Sequence, residues 1–194
     1  VIRQMKGKRT VIRTLDFGAR KLTELPKNKP EMNPSLGFRS IRICLAMPQM
    51  FQTQLRAIYR AACYGPVSIL FPMVDSVEQL EEILRHLQAA RESLKRDKME
   101  FDPQVRVGLV IETPASVILS RELAEKVDFF HIDTNDLVQY ALAVDRQNPR
   151  VNSYYNTRHP AVMRMIEMVI DAAHTVGIKV TVSGDMADDE RMLG

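Results

Sequence analysis

Two apolar runs in this sequence end on side chains that can do chemistry. Val105 to Ile111 is followed by Glu112, Thr113 and Pro114, and Val127 to Ile132 leads into Thr134, Asn135 and Asp136. The β-branched and aromatic bias of both runs predicts buried strands. In folds built from parallel strands, ligands bind at the rim formed by the strands' C-terminal ends. Two carboxylates delivered to one rim make an oxygen-rich pocket suited to a hard divalent cation such as Mg²⁺, which prefers one or two carboxylates plus oxygens from a substrate. Taken alone, Asn135 or Asp136 more often caps the helix after it. The second strand of the same design shifts the balance toward a ligand pocket.

Arg13 ends an earlier strand pattern, and Arg39 and Arg42 lie close together in SLGFRSIRI, read as a short extended segment. Arginine forks bind phosphate and carboxylate bidentately, so these three are candidates for holding a small dianion, although surface solvation is an arginine's commoner fate. The last apolar run, Ile178 to Val182, delivers Ser183, Gly184 and Asp185 to the same rim. Cys44 and Cys63 have no metal-ligand spacing and read as small buried apolar side chains in a reducing cytoplasm.

The elements that must position these residues follow from composition and pattern. With 194 residues, 45% hydrophobic and 26% charged, the chain can bury a sizeable core, which excludes a disordered or fibrous protein. The net charge of +3 is mild and favours small anionic ligands over a nucleic-acid surface. No apolar run approaches the roughly 18 residues of a membrane span, and no signal peptide opens the chain. The first residue is Val1 rather than methionine, so a piece of a longer protein is expected.

In order, the pattern predicts a strand at Thr10 to Asp16, a turn at Gly18, and a loop at Lys27 to Pro34. A helix from Pro48 to about Cys63 comes after them, with Phe51, Leu55, Ile58, Tyr59 and Ala62 inward. A strand at Val67 to Val74 is next, then a helix opened by Ser76 and Gln79 as a capping box, with an apolar stripe of Val77, Leu80, Ile83, Leu84 and Leu87. A helix is expected from Glu112 to about Lys126, another from Leu137 through Val144, and a last one from Pro160 to Gly177. Strand and helix alternate, and the strands read as continuous apolar runs. That pattern implies parallel strands covered by helices. With polar residues at nearly every strand end and no glycine-rich dinucleotide loop, the expectation is a single α/β domain over residues 1–194. It is read as a (β/α)₈ TIM barrel of about six strands, incomplete because a full barrel takes roughly 250 residues and so truncated at both ends.

The strings RTLDFG at 13 to 18, NPSLGFRSIR at 33 to 42, FPMV at 71 to 74, ETPAS at 112 to 116, TNDLVQYALAVDR at 134 to 146 and SGDMADDE at 183 to 190 carry a family resemblance. In that order, over nearly the whole chain, they resemble the C-terminal phosphoenolpyruvate-binding barrel of the bacterial phosphotransferase system's enzyme I. The same barrel occurs in pyruvate phosphate dikinase and phosphoenolpyruvate synthase, and RTLDFG with QYALAVDR looks closer to enzyme I.

The resemblance implies that Glu112 and Asp136 bind Mg²⁺ and that Arg13, Arg39, Asn135 and Arg146 hold the phosphate and carboxylate of phosphoenolpyruvate. It implies transfer of the phosphoryl group to a histidine on a separate N-terminal domain, with a phosphocarrier protein beyond it, for sugar uptake by a cytoplasmic homodimer without nucleic-acid or membrane partners. None of His86, His131, His159 and His174 sits in the family's phosphorylation motif, so the acceptor is expected outside this chain, and the isolated chain is expected to be incapable of full turnover.

Three departures stand out. Asp133 replaces the family's usual glycine and is expected to add a carboxylate beside the substrate. Gly18, Ala19, Arg20 and Lys21 stand where the family has Gly-Gly-Asp-Lys. Ser183 occupies the position of the family's cysteine, the acid that protonates the enolate of pyruvate, which leaves open a non-catalytic sensing or dimerisation module.

Overall fold

The computed structural model describes residues 1–17 and 31–187. The expected turn at Gly18, the Gly18 to Lys21 departure, the first half of the 27–34 loop and the end of SGDMADDE lie outside these residues. The described chain is α/β and forms two compact units, one of Val1–Met73 with Glu81–Val107 and the other of Val74–Leu80 with Gly108 onward. Among the described residues no helix is long and apolar enough to cross a membrane.

In the first unit, β1 (Thr10–Arg13) runs parallel to β2 (Val67–Phe71), with Thr10 opposite Val67 and Arg13 opposite Leu70. All of β2 is buried, Ser68 included, as suits a largely apolar strand. Helix α1 (Ile41–Ala46) precedes α2 (Pro48–Ala61), in which Pro48 sits at the first turn, where its missing N–H costs nothing. The α2 stripe of Phe51, Leu55, Ile58 and Tyr59 is buried as expected. Phe51 meets Phe71 edge-on, with ring centroids 6.2 Å apart. Helix α3 (Val77–Arg96) adds Ile83, Leu87, Ala90 and Leu94, and its Ser93 and the adjoining Asp97 both bond Arg56 of α2. At its start Ser76 Oγ accepts from the Gln79 N–H at 3.2 Å, while Gln79 Oε1 reaches one residue further back, to the Asp75 N–H, than in an ideal capping box.

The second unit takes in β3 (Arg106–Ile111) from Gly108 onward, then α4 (Pro114–Ile118), α5 (Ser120–Ala124), β4 (Phe129–Asp133), α6 (Thr134–Leu142), α7 (Pro160–Val176) and β5 (Lys179–Ser183). β4 lies between β3 and β5, parallel to both. Gly177 ends α7 in the left-handed conformation at φ 77°. The core is Leu109, Ile111, Phe130, Ile132, Leu137, Val162 and Val169.

The structure differs from the sequence expectations in several places. Five strands are present among the described residues rather than about six, because SLGFRSIRI is a turn leading into α1, not a strand. The helix expected from Glu112 to Lys126 is broken into α4 and α5 at Leu119. β4 is not buried on both faces: Phe130 and Ile132 face the core, whereas Phe129, His131 and Asp133 line a half-buried opposite face. Cys44 is buried as expected, but Cys63 is exposed.

Candidate functional site

The register of the second unit lines up the candidate residues. Ile111 pairs with Ile132, so Glu112 comes next at the level of Asp133, and Asp133 pairs with Ser183. Side chains two apart on a strand share a face. Glu112, Asp133 and Ser183 therefore form the last rung of one face at the C-terminal ends of β3, β4 and β5.

Capped helix starts fix the ends of β3 and β4. After Glu112, the Thr113 side chain accepts from the Ser116 N–H at 3.1 Å and Ser116 Oγ accepts from the Thr113 N–H at 3.2 Å, a reciprocal cap that opens α4. Glu112 is only 1% exposed. After β4, the Asp133 carboxylate accepts from the backbone N–H groups of Asn135 at 3.0 Å and Asp136 at 3.3 Å. Asp133 is thus the N-cap of α6, its carboxylate engaged by the first backbone N–H groups of that helix. The capping role belongs to it rather than to Asn135 or Asp136, which leaves their side chains to other partners.

Asp136 is 4% exposed, and its Oδ1 lies 3.0 Å from a guanidinium nitrogen of Arg146. Ten residues separate the two in sequence, and the chain returns because Ala143 ends α6 in the left-handed conformation at φ 53°. Gln139 then accepts from the Arg146 N–H at 3.1 Å. Asn135 Oδ1 accepts from the Asp185 N–H at 2.9 Å, and Thr134 Oγ1 donates to the Ser183 carbonyl at 2.8 Å. The first turn of α6 is so stitched to the turn after β5. Tyr155 reaches Asn135 with its hydroxyl, 3.4 Å from the carbonyl. Burial, reinforced by the Asp185 carboxylate, pushes the Tyr155 phenol up from its usual range, so it stays a neutral donor.

In the first unit, Arg13 and Arg39 converge on one acid: Asp16 lies 2.9 Å from Arg13 and 3.3 Å from Arg39, and Ser40 Oγ donates to the same carboxylate. Arg42 donates to the carbonyls of Leu36 and Gly37, each at 3.1 Å, and holds that turn.

The structure thus brings together Glu112, Asn135, Asp136, Arg146 and Ser183 in one unit, and Arg13 with Arg39 in the other. Tyr155 and His131 were missed by sequence reasoning. Tyr155 carries no spacing signal in its loop. His131 was legible as the same-face neighbour of Asp133, two residues along β4. Two nearly buried carboxylates, one just after β3 and one in the first turn of α6, suit a hard cation. Among the described residues no group of three or more His, Cys, Asp or Glu gathers to hold a metal.

Comparisons with known proteins give the family and the fold. Curated relatives called phosphoenolpyruvate-protein phosphotransferase include those of Priestia megaterium, 46% identical over 98% of this chain, and Haemophilus influenzae, 43% identical over 98%. In each case the chain spans about a third of the relative's length, 33%. Among solved structures, a citrate lyase from Burkholderia xenovorans LB400 superposes with a TM-score of 0.52 at 25% identity, over 70% of this chain and 43% of its own. An HpcH/HpaI aldolase/citrate lyase family protein from Burkholderia cenocepacia J2315 shares the fold, with a TM-score of 0.52 at 20% identity over 72% of this chain and 56% of its own. The family described as the PEP-binding domain of PEP-utilising enzymes matches residues 1–194, and the chain belongs to that family.

Proposed function

We propose that this chain is the phosphoenolpyruvate-binding part of a phosphoenolpyruvate-protein phosphotransferase, a (β/α)₈-type barrel to which the five strands among the described residues belong. It binds phosphoenolpyruvate with Mg²⁺ and gives up the phosphoryl group to a histidine on a separate domain. A phosphocarrier protein, sugar uptake, a homodimer and a cytoplasmic setting accompany that reading through the family resemblance.

The observation that supports it is the pairing of Asp136 with Arg146 at 3.0 Å, a carboxylate suited to a cation next to a guanidinium suited to an anion. Glu112 and Asp136 are the residues to hold Mg²⁺, which when bound neutralises charge on the substrate's phosphate and carboxylate. Arg146, 36% exposed in its side chain, has the reach to turn from Asp136 to a substrate oxygen. Asn135, oriented by Asp185 and Tyr155, presents an amide to the substrate. Arg13 and Arg39 are assigned the phosphate by their motif. Phosphoryl transfer needs little covalent help from a protein, so positioning and charge neutralisation of this kind do most of the work.

Calorimetry with phosphoenolpyruvate in the presence and absence of Mg²⁺ tests this. The wild type should bind only with Mg²⁺, and Asp136→Asn or Glu112→Gln should weaken binding at least tenfold. Unchanged affinity in both variants would overturn the assignment.

A further inference from the structure

We infer that His131 and Ser183 form a proton-delivery pair, in which Ser183 donates to the methylene carbon of the bound enolate and His131 positions and reprotonates that hydroxyl. The inference rests on the phosphoenolpyruvate reading above.

The geometry comes from two neighbouring rungs of one face. His131 Nε2 lies 2.8 Å from Ser183 Oγ, and His131 Nδ1 lies 2.8 Å from Thr181 Oγ1. The Phe130 carbonyl, 3.3 Å from Thr181 Oγ1, can take the hydroxyl proton, which leaves that oxygen to accept from Nδ1–H of His131 in the tautomer this pair uses. Neutral His131 offers the Nε2 lone pair to the serine hydroxyl, whereas imidazolium puts an N–H on Ser183 Oγ and turns the hydroxyl proton outward.

Ser183 is itself immobilised. Thr134 Oγ1 holds its carbonyl at 2.8 Å, and Gly184 beyond it is fixed at φ 97° under Asn135. Its side chain stands on the rung of Asp133, at the level of Glu112, where the substrate is proposed to bind.

The chemistry needs such a pair. Once the phosphoryl group has left, the enolate oxygen re-forms its carbonyl as the methylene carbon takes the proton of Ser183 Oγ. Oγ takes the Nε2 proton of imidazolium, and the neutral ring regains a proton from water. One proton is consumed per pyruvate. A serine hydroxyl alone is too weak an acid, whereas imidazolium, with a reference pKa of about 6.5, is a competent source. His131 is therefore a positioning residue that acts through Ser183.

The same steps in reverse exchange the methyl protons of pyruvate with solvent, so the test is NMR of pyruvate in heavy water with Mg²⁺ and the intact protein, alongside calorimetry with phosphoenolpyruvate. The wild type should exchange the methyl group. His131→Leu and Ser183→Ala should each slow exchange at least tenfold, given that positioned acids contribute about 10²- to 10⁴-fold, and keep phosphoenolpyruvate affinity within about threefold. Adding Ser183→Cys to His131→Leu should restore exchange, because a thiol of reference pKa about 8.5 needs no imidazolium behind it. Wild-type exchange rates in His131→Leu, or a wild type that binds phosphoenolpyruvate without exchanging pyruvate, would overturn the pair and leave the binding reading standing. A wild type that does not bind phosphoenolpyruvate would overturn both.

Discussion

Asn135 and Asp185, 50 residues apart in sequence, hold one another: the Asp185 N–H donates to Asn135 Oδ1 at 2.9 Å, and Asn135 Nδ2 donates to Asp185 Oδ1 at 3.4 Å. The contact depends on the glycine between Ser183 and Asp185. A Cβ on Gly184 would stand 2.4 Å from Thr134 Oγ1 and 2.7 Å from Asn135 Oδ1, at a φ of 97° that side chains rarely adopt. Gly184→Ala is expected to cost about 1–3 kcal/mol in urea unfolding and to weaken phosphoenolpyruvate binding by moving Asn135. A melt indistinguishable from wild type would show that the turn relaxes freely.

Asp133 should behave as a helix cap. Asp133→Ala removes the acceptor for two backbone N–H groups and is expected to destabilise the protein by about 0.5–2 kcal/mol, whereas Asp133→Ser retains most of the stability. If the carboxylate instead repelled the anionic substrate, both substitutions would tighten phosphoenolpyruvate binding alike. Calorimetry on the two variants separates these roles.

Arg39 shares Asp16 with Arg13, yet it has the shorter exposed reach, with its side chain 15% exposed against 47% for Arg13. Arg39→Ala is expected to lower phosphoenolpyruvate affinity roughly ten- to a hundredfold, in line with about 1.5–3 kcal/mol for a hydrogen bond to a charged group. Arg39→Lys should recover only part of it, since an ammonium cannot fork. An affinity unchanged by Arg39→Ala would remove this residue from the anion site.

The two thiols should separate cleanly by chemistry. Burial raises the Cys44 thiol to about 11, with Asp16 adding to the shift, so it stays protonated and inert at pH 8 while exposed Cys63 reacts. A thiol reagent should titrate one group in the folded protein and two in denaturant. Since the folded pKa lies above the unfolded value of 9.0, the unfolded chain loses its proton first. Cys44 therefore contributes fully below pH 9, and stability falls between pH 9 and about 11, by roughly 2–3 kcal/mol at the upper end. Cys44→Ala should flatten that decline in alkaline unfolding curves.

The sequence by itself determined which residues end the strands. Val105 to Ile111 and Val127 to Ile132 read as strands whatever surrounds them, because β-branched and aromatic side chains lose least on a pleated surface, so Glu112 had to follow the one and Asp136 the turn after the other. The α2 stripe and the Gly177 stop were legible for the same reason, since helical period and a left-handed cap are local properties. Tertiary structure decided what local pattern could not. SLGFRSIRI reads as extended, yet Ile41, Ile43 and Cys44 bury completely as helix α1, because packing overrides the modest β preference of so short a run. Asp133 reads as charge and acts as a cap, because only the folded strand-to-helix turn aims two N–H groups at it. His131 and Ser183 are 52 residues apart, and the parallel register of β4 with β5 alone sets them 2.8 Å from each other. Register is a property of pairing between strands, fixed by which face each one buries, and no single segment of sequence contains it.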